Sequence, residues 1–444
     1  MIYDFVELNK SSKEPMYEQL YFQLKNGIEN KLISKDEKLP SIRKAATELK
    51  VSRTTIENAY FRLCSEGYIE NKPQKGYFVK TPPKENLSKE LLKKTEDVKY
   101  DFDFSSGKID DSAADIHLWK RYVRKALNSE KDIISYGEPQ GEMCLRKAIA
   151  SYIYTARGVI SSPENIVVGA GIQQLIAIFC CINKKGTVAI EEPGFKQAEK
   201  VFKDFGYDYS EIKFLNKPEK ALKDAGADIY FNIPSQKPKT TAAALHAHRE
   251  SLLLWLNSSK DHYILEDDFN GELKFSARPF PAMQNMCMEK IIYMGSFSKL
   301  LIPSVRISYA VFPESILKKY KEMASFYNQT ASKIEQIALA GYIEDGHLEK
   351  HLRRLKKLYS HKSIELLREV NKAFPEGRAK VLESSLSIIF NACTKLSDEE
   401  IDERIRKRKV KIQSVHNGII NLSFAGIAVE DMENAVKRIK ESLI

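Results

Sequence analysis

Five short apolar runs constrain this chain more than anything else in it. Ile166-Val167-Val168, Thr187-Val188-Ala189-Ile190, Asp228-Ile229-Tyr230-Phe231, Tyr263-Ile264-Leu265 and Lys290-Ile291-Ile292-Tyr293 are rich in β-branched and aromatic residues. Each gives way to glycine, proline, acidic or polar residues, and helix-length stretches separate them. Such runs predict strands of a mainly parallel sheet with helices on both faces, an α/β architecture. Ligands of these sheets bind beyond the C-terminal ends of the strands. Gly171, the Glu192-Pro193-Gly194-Phe195 turn, Asp267 and the Ser296/Lys299 pair all follow a run directly. That convergence predicts one site built from four separate segments.

The first eighty residues follow a different rule. Tyr17, Leu20, Tyr21, Leu24 and Ile28 recur at three- and four-residue spacing, which predicts a helix over residues 14–30. Ser41 is placed to cap a second helix with Ile42, Ala45, Ala46 and Leu49 inward, and Ser52 to cap a third over residues 53–66 that Gly67 ends. Residues 68–70 and 76–80 then predict a hairpin, and the unit reads as a winged helix-turn-helix. A recognition helix needs short polar and basic side chains in its first turn, and Ser52, Arg53, Thr54 and Thr55 supply them. Arg43 can clamp backbone or a guanine edge, while Lys75 and Gly76 at the wing tip suit a minor groove. Residues 81–99, opening with Pro82-Pro83 and poor in apolar anchors, predict a linker with a short helical piece at 87–94. The expected domains are therefore 1–80, a linker at 81–99, and 100–444.

Bulk properties agree with this division. A chain of 444 residues exceeds one ordinary domain, and a net charge of +10 favours an acidic partner, of which operator DNA is the natural candidate here. The N-terminus lacks a basic start followed by an apolar core, so no secretory signal is expected. The most apolar stretch, residues 166–182, carries Gln173 and Gln174 at its middle, which argues against a membrane span. Six cysteines without a C-x-x-C pair suggest reduced, buried thiols and a cytoplasmic location. His246 and His248, two apart on a helix, read as surface histidines rather than metal ligands, and no metal site is expected. Trp119 and Trp255 read as core. The basic runs at 350–357 and 404–411 read as solvated helix faces.

The segment Tyr293-Met294-Gly295-Ser296-Phe297-Ser298-Lys299, with Arg306 seven residues on, carries the chemistry. A cofactor with an aldehyde and a phosphate needs a lysine to join as a Schiff base, a carboxylate on its ring nitrogen, phosphate ligands and a stacking aromatic. Lys299 meets the first need and Asp267 the second. Gly171, Ile172 and Gln173 open a helix whose N–H groups, with Ser296 and Arg306, suit a phosphate. Phe195 meets the fourth. The cofactor expected from this pattern is pyridoxal 5'-phosphate. Ser296 to Lys299 also spells S-x-x-K, but the companion motifs of penicillin-binding proteins are absent.

Leu39-Pro40-Ser41-x-Arg43, Val51-Ser52-Arg53-x-Thr55 and Ala59-Tyr60-x-x-Leu63-x-x-Glu66-Gly67-Tyr68 resemble the GntR family of bacterial regulators over residues 14–80. The resemblance implies that Arg43, Ser52, Arg53, Thr54, Thr55 and Gly76 contact DNA. Residues 100–444 resemble a fold-type-I aminotransferase domain with a small C-terminal α+β subdomain. The quoted pieces are Tyr136-Gly137-x-Pro139-x-Gly141, Gly171 to Gln174, Glu192 to Phe195, Pro234-Ser235, Glu266-Asp267-Asp268 and Gly295 to Lys299 with Arg306. The whole chain thus resembles the MocR-type branch of the GntR regulators. That branch implies a head-to-tail homodimer in which Tyr136 reaches the phosphate of the partner subunit's cofactor.

Three positions depart from the family pattern. Phe269 stands where a hydroxylated aromatic usually bonds the cofactor's phenolic oxygen. The stretch 235–241 replaces the usual Pro-Thr/Ser-Gly. The aligned C-terminal stretch Ser423 to Gly426 lacks the arginine that grips a substrate carboxylate, and Lys196 is a candidate substitute. The expectation is a transcription regulator whose sensor domain answers to an amine-bearing effector or to the cofactor itself, without steady turnover. The alternatives are a working aminotransferase with a DNA-binding head and a vestigial fold that regulates without cofactor.

Overall fold

The computed structural model describes residues 3–80 and 99–443, apart from 10, 13, 106–108, 110–113, 129–132, 193, 214, 216, 237–240 and 276–279. The expected linker and its helical piece fall on residues 81–98, outside the described residues, as do Pro193 and most of the 235–241 stretch. The chain divides into two compact units, residues 1–98 and 99–444.

In the first unit, α1 (Met16–Glu29), α2 (Ile42–Leu49) and α3 (Arg53–Ser65) precede a hairpin of β1 (Ile69–Lys72) and β2 (Gly76–Val79). Leu20, Leu24, Ala45, Ile56, Ala59 and Leu63 make its core, each fully enclosed. Both anticipated caps are present. Ser41 accepts from Lys44 N–H, and Ser52 accepts from Thr55 N–H at 3.1 Å. Such caps each contribute about 1 kcal/mol. The hairpin pairs Ile69 with Val79 and Lys72 with Gly76, and Gly76 takes a φ of +101° at its tip.

The second unit is built on a seven-stranded sheet. After β3 (Phe102–Asp103), α4 (Ile116–Leu127) and α5 (Met143–Arg157) come β4 (Ile166–Gly169), α6 (Ile172–Ile182), β5 (Thr187–Glu191), α7 (Lys196–Asp204) and β6 (Asp208–Ile212). They are followed by α8 (Glu219–Asp224), β7 (Ile229–Asn232), α9 (Ala242–Asn257), β8 (Tyr263–Asp267), β9 (Ile291–Ser296), β10 (Ser308–Val311) and α10 (Glu314–Ala324). The strand order is β4-β10-β9-β8-β7-β5-β6. All five expected runs are strands, and four of them, β5, β7, β8 and β9, lie in one parallel block. Two members were not anticipated. β10 runs antiparallel between β4 and β9, and β6 is a polar edge strand beside β5. The central strands are enclosed on both faces, which is why they read as continuous apolar runs.

The C-terminal part adds α11 (Lys333–Glu344), the long α12 (His347–Ala373), β11 (Lys380–Leu382), β12 (Ser387–Asn391), α13 (Asp398–Lys407), β13 (Val410–Lys411), β14 (Ser414–His416), β15 (Ile419–Ser423) and α14 (Met432–Leu443). Four of these strands form an antiparallel sheet in the order β11-β12-β15-β14, and β13 pairs with β3. Ile388, Phe390, Ile420 and Leu422 face the helices α12 and α14 in one core.

Two expectations are corrected. His248 is buried, with its ring bonded to Leu215 O at 2.8 Å, because α9 turns it inward; only His246 is a surface residue. Among the six free cysteines, Cys144, Cys181 and Cys393 are exposed rather than buried. Trp119 and Trp255 are core, as expected. Among the described residues no helix is long and apolar enough to cross a membrane, and no cluster of His, Cys, Asp and Glu is arranged for a metal ion.

Candidate functional site

The site lies at the C-terminal ends of the parallel strands. β9 ends at Ser296, the chain makes an excursion through Lys299 and Arg306, and β10 returns beside β9. The excursion is closed where Phe297 N–H donates to Ile307 O at 2.9 Å. Arg306 takes a left-handed φ of +51° there, and its Nη1 donates to Ser298 Oγ at 3.3 Å. Ser308 Oγ donates to Ser296 Oγ at 2.9 Å, across the β9–β10 pair.

Gly171 joins this group from β4. It is the N-cap of α6, with a φ of +123°. A Cβ there would sit 2.7 Å from Arg306 Nη2, so the guanidinium lies directly against the bare backbone at the helix N-terminus. Free N–H groups, the positive end of a helix and an arginine make an anion cradle. Ser296, Ser298, Arg306 and Gly171 are thus brought together. Gln174 closes the turn by accepting from Ala170 N–H at 2.6 Å, whereas Gln173 points to solvent and Ile172 packs against the core.

Asp267 ends β8. It is 2% exposed, and its Oδ1 meets no hydrogen-bond partner among the described residues. Burial first, and then the adjacent Asp268, push its pKa up to about 8. Lys299 is crowded by protein, and burial brings its amine down to about 8. Its Nζ lies 4.9 Å from the centre of the Phe269 ring. A buried carboxylate without a donor is costly. A protonated ring nitrogen opposite Asp267 would remove that cost, and a phosphate would fill the cradle at Gly171. The residues present therefore fit pyridoxal phosphate at both ends. Phe195, at the start of α7, is half-buried and packs with the apolar residues between sheet and helices.

Below Asp267 lies a second polar layer. Asp268 is ion-paired with Arg157 and accepts from Tyr293 Oη at 2.8 Å. Tyr152 Oη donates to Glu272 at 3.3 Å, and Glu266 accepts from the N–H groups of Met283 and Gln284. Burial raises Glu266 and Glu272 to about 7. Arg157 supplies the cation for this enclosed carboxylate group.

Tyr136 stands apart. It is 88% exposed, on a loop that is firmly held beneath it. Arg146 Nε donates to Gly141 O at 2.7 Å, Tyr320 Oη to Pro139 O at 2.9 Å, and Gln336 accepts from Glu142 N–H. Gly141 has a φ of +102°, and a Cβ there would meet Val168 at 2.6 Å. Lys196 is exposed in the first turn of α7.

In the first unit, Arg53 and Thr54 are exposed in the opening turn of α3, Arg43 is exposed on α2, and Lys75 is exposed beside Gly76. Ser52 and Thr55 spend their hydroxyls on each other, 2.8 Å apart, as well as on the cap.

Sequence reasoning missed three residues. Ser298 shares the cradle through Arg306. Asn232 and Ser235, at the end of β7, are nine-tenths buried with a side-chain oxygen that meets no partner among the described residues. Ser298 sits inside the lysine segment itself, next to Lys299, and that adjacency was the available signal.

Comparison with known proteins places this geometry. Residues 100–439 match the family of class I and II aminotransferases, and residues 16–79 match the bacterial regulatory proteins of the gntR family. Over 98% of its length the chain is 31% identical to an uncharacterized HTH-type transcriptional regulator, YdeL, of Bacillus subtilis (strain 168), and it covers 98% of that protein. This chain is a MocR-type transcription regulator of the GntR family. The probable rhizopine catabolism regulatory protein MocR of Rhizobium meliloti is 29% identical over 80% of this chain and 77% of its own. The fold of the regulator's second unit is that of the aminotransferases. A crystal structure of Pyrococcus horikoshii kynurenine aminotransferase superposes with a TM-score of 0.68 at 21% identity, covering 80% of this chain and 94% of that one.

Proposed function

We propose that this MocR-type regulator binds operator DNA through residues 1–80 and senses a small amine through pyridoxal phosphate held in residues 100–444, with 81–99 as the connector. The orphaned Oδ1 of buried Asp267 carries the reading, because it meets no donor among the described residues. When bound, the cofactor supplies an aldehyde that joins amines reversibly and a ring that draws electrons. Gly171, Ile172, Ser296, Ser298 and Arg306 hold the phosphate. Asp267 keeps a proton on the ring nitrogen, and Phe195 stacks on the ring. Lys299 would hold the aldehyde, and its Nζ, once free, would hold or release a proton beside the effector amine. An amine pKa near 8 suits a group that must be neutral part of the time.

Freed or held, Lys299 biases two arrangements of a homodimer in which Tyr136 reaches the partner's site, and the heads follow. Arg43, Arg53, Thr54, Lys75 and Gly76 meet DNA directly. Ser52 and Thr55 hold the recognition helix's first turn for them. The protein works in the cytoplasm. Phe269 gives the phenolic oxygen no hydroxyl, and Ser423 to Gly426 offers no arginine, so steady amino transfer is not its task.

The test is a visible absorption spectrum of the purified chain, followed by borohydride reduction and mass spectrometry. A band that reduction fixes at Lys299 supports the reading. A cofactor-free chain that still regulates would favour the vestigial alternative. Sustained transamination of common amino acids would favour the enzyme.

A further inference from the structure

Arg306 and the α6 N-terminus form the anion cradle of the sensor's site. A second polar surface is one face of the small antiparallel sheet. On β12 and β15, Ile388, Phe390, Ile420 and Leu422 point into the helical core, so Ser387, Ile389, Asn421 and Ser423 share the other face. Register pairs Ser387 with Ser423 and Ile389 with Asn421. The turn Glu383–Ser385 that leads into β12 packs against residues 234–236 and 271–273, the loops following β7 and β8. The Ser387/Ser423 end of this face therefore abuts the ligand end of the large sheet.

Three side chains on the elements that meet around this junction carry an oxygen without a partner among the described residues. Asn421 Oδ1 meets no partner among the described residues, and neither do Asn232 Oδ1 and Ser235 Oγ on the large-sheet side. No arginine or lysine stands beside them on β12 or β15. Lys380 closes the Asn421 row on edge strand β11, two strands away and exposed. On the described residues of β12 and β15 a carboxylate would meet only amides and hydroxyls, which cannot repay its desolvation. Uncharged hydroxyl or amide groups would instead satisfy side chains that are already desolvated.

We infer that the effector is a primary amine whose remaining polar groups are uncharged hydroxyls or amides, read by Asn421, Ser235 and Asn232, and that α-carboxylates are disfavoured. The inference rests on the proposed cofactor site. Its test uses the full chain loaded with pyridoxal phosphate and two matched probes, serinol and serine, titrated by absorption at equal concentrations of the unprotonated amine. Serinol should shift the spectrum at a concentration at least tenfold lower. Asn421→Ala should raise the serinol midpoint about tenfold while leaving the unliganded spectrum and the melting temperature unchanged. Asn421→Arg should reverse the preference toward serine. A wild-type preference for serine, or no response to either probe, overturns the inference and leaves the cofactor site standing. A serinol midpoint that Asn421→Ala does not move removes Asn421 from the recognition. A wild-type chain with no visible band overturns the cofactor reading itself, and this inference with it. If Asn421→Ala fails to fold, Ser235→Ala carries the same expectation and the same reversal.

Discussion

The recognition helix of the head and the lysine hairpin of the sensor solve opposite problems. Arg53 and Thr54 stand exposed in the first turn of α3, their positions fixed by a local cap. Asp267 and Lys299 belong to a site assembled from segments far apart in sequence, and burial shifts both toward neutrality near pH 8. One surface waits for a polyanion in water, where long-range charge does the work. The other is buried, and the Asp267 Oδ1 within it meets no donor among the described residues. The head should therefore respond to salt, and the sensor to cofactor and pH.

The largest effect expected is at Lys299. Lys299→Ala should abolish the visible band and the borohydride-fixed mass completely, while operator binding by the cofactor-free chain stays within the wild-type range. Loss of DNA binding in that variant would break the separation between the two regions. Next comes Arg53→Ala, which should weaken specific operator binding by the equivalent of about 1–3 kcal/mol at fixed salt and leave the cofactor spectrum untouched. A gel-shift titration decides it. Arg306→Ala removes a charge-assisted phosphate contact of about 1.5–3 kcal/mol, so the cofactor's dissociation constant should rise roughly 10- to 150-fold. Equilibrium dialysis measures that rise. An unchanged constant would take Arg306 out of the cradle.

A subtler effect concerns pH. The carboxyl of Asp267 holds its proton more tightly in the folded chain, up to about 8 against a usual 3.8. Its contribution to stability is complete below the usual value and is lost as pH rises through about 8. Cofactor-free wild type should therefore melt at a lower temperature at pH 8.5 than at pH 5.5, with Glu266 and Glu272 adding to the same trend near 7. Asp267→Asn should flatten that slope. An identical slope in the variant would place the cost elsewhere. The smallest change expected is for Tyr136→Phe, a loss of a few-fold in cofactor affinity that appears only in the dimer.

The sequence and the structure agree best where a residue's role is local. The caps at Ser41 and Ser52 and the hairpin tip at Gly76 follow from neighbouring residues, so they were legible. The parallel strands were legible because burial on both faces leaves an unbroken apolar run. β6 was not, since an edge strand spelling Asp-Tyr-Ser-Glu-Ile carries no such signature. Nor was β10, whose place beside β4 depends on pairing across more than a hundred residues. The site followed the same division. Lys299, Asp267 and Arg306 stand in recognisable surroundings, whereas the unpartnered oxygens of Asn232, Ser235 and Asn421 emerge only once loops and sheet register meet. His248 was misread because two residues two apart on one helix need not share its exposure.

The antiparallel return of β10 has one more consequence. Since β9 and β10 are neighbours, Lys299, Ser296, Ser298 and Arg306 all belong to a single hairpin, clasped at its base by Phe297 and Ile307. On the proposed reading, the covalent anchor and the phosphate grip would thus be inherited together, as one cassette. Such a chain could drift widely at the proposed effector face on its small sheet while the cassette stays whole, and so acquire new signals without rebuilding the anchor.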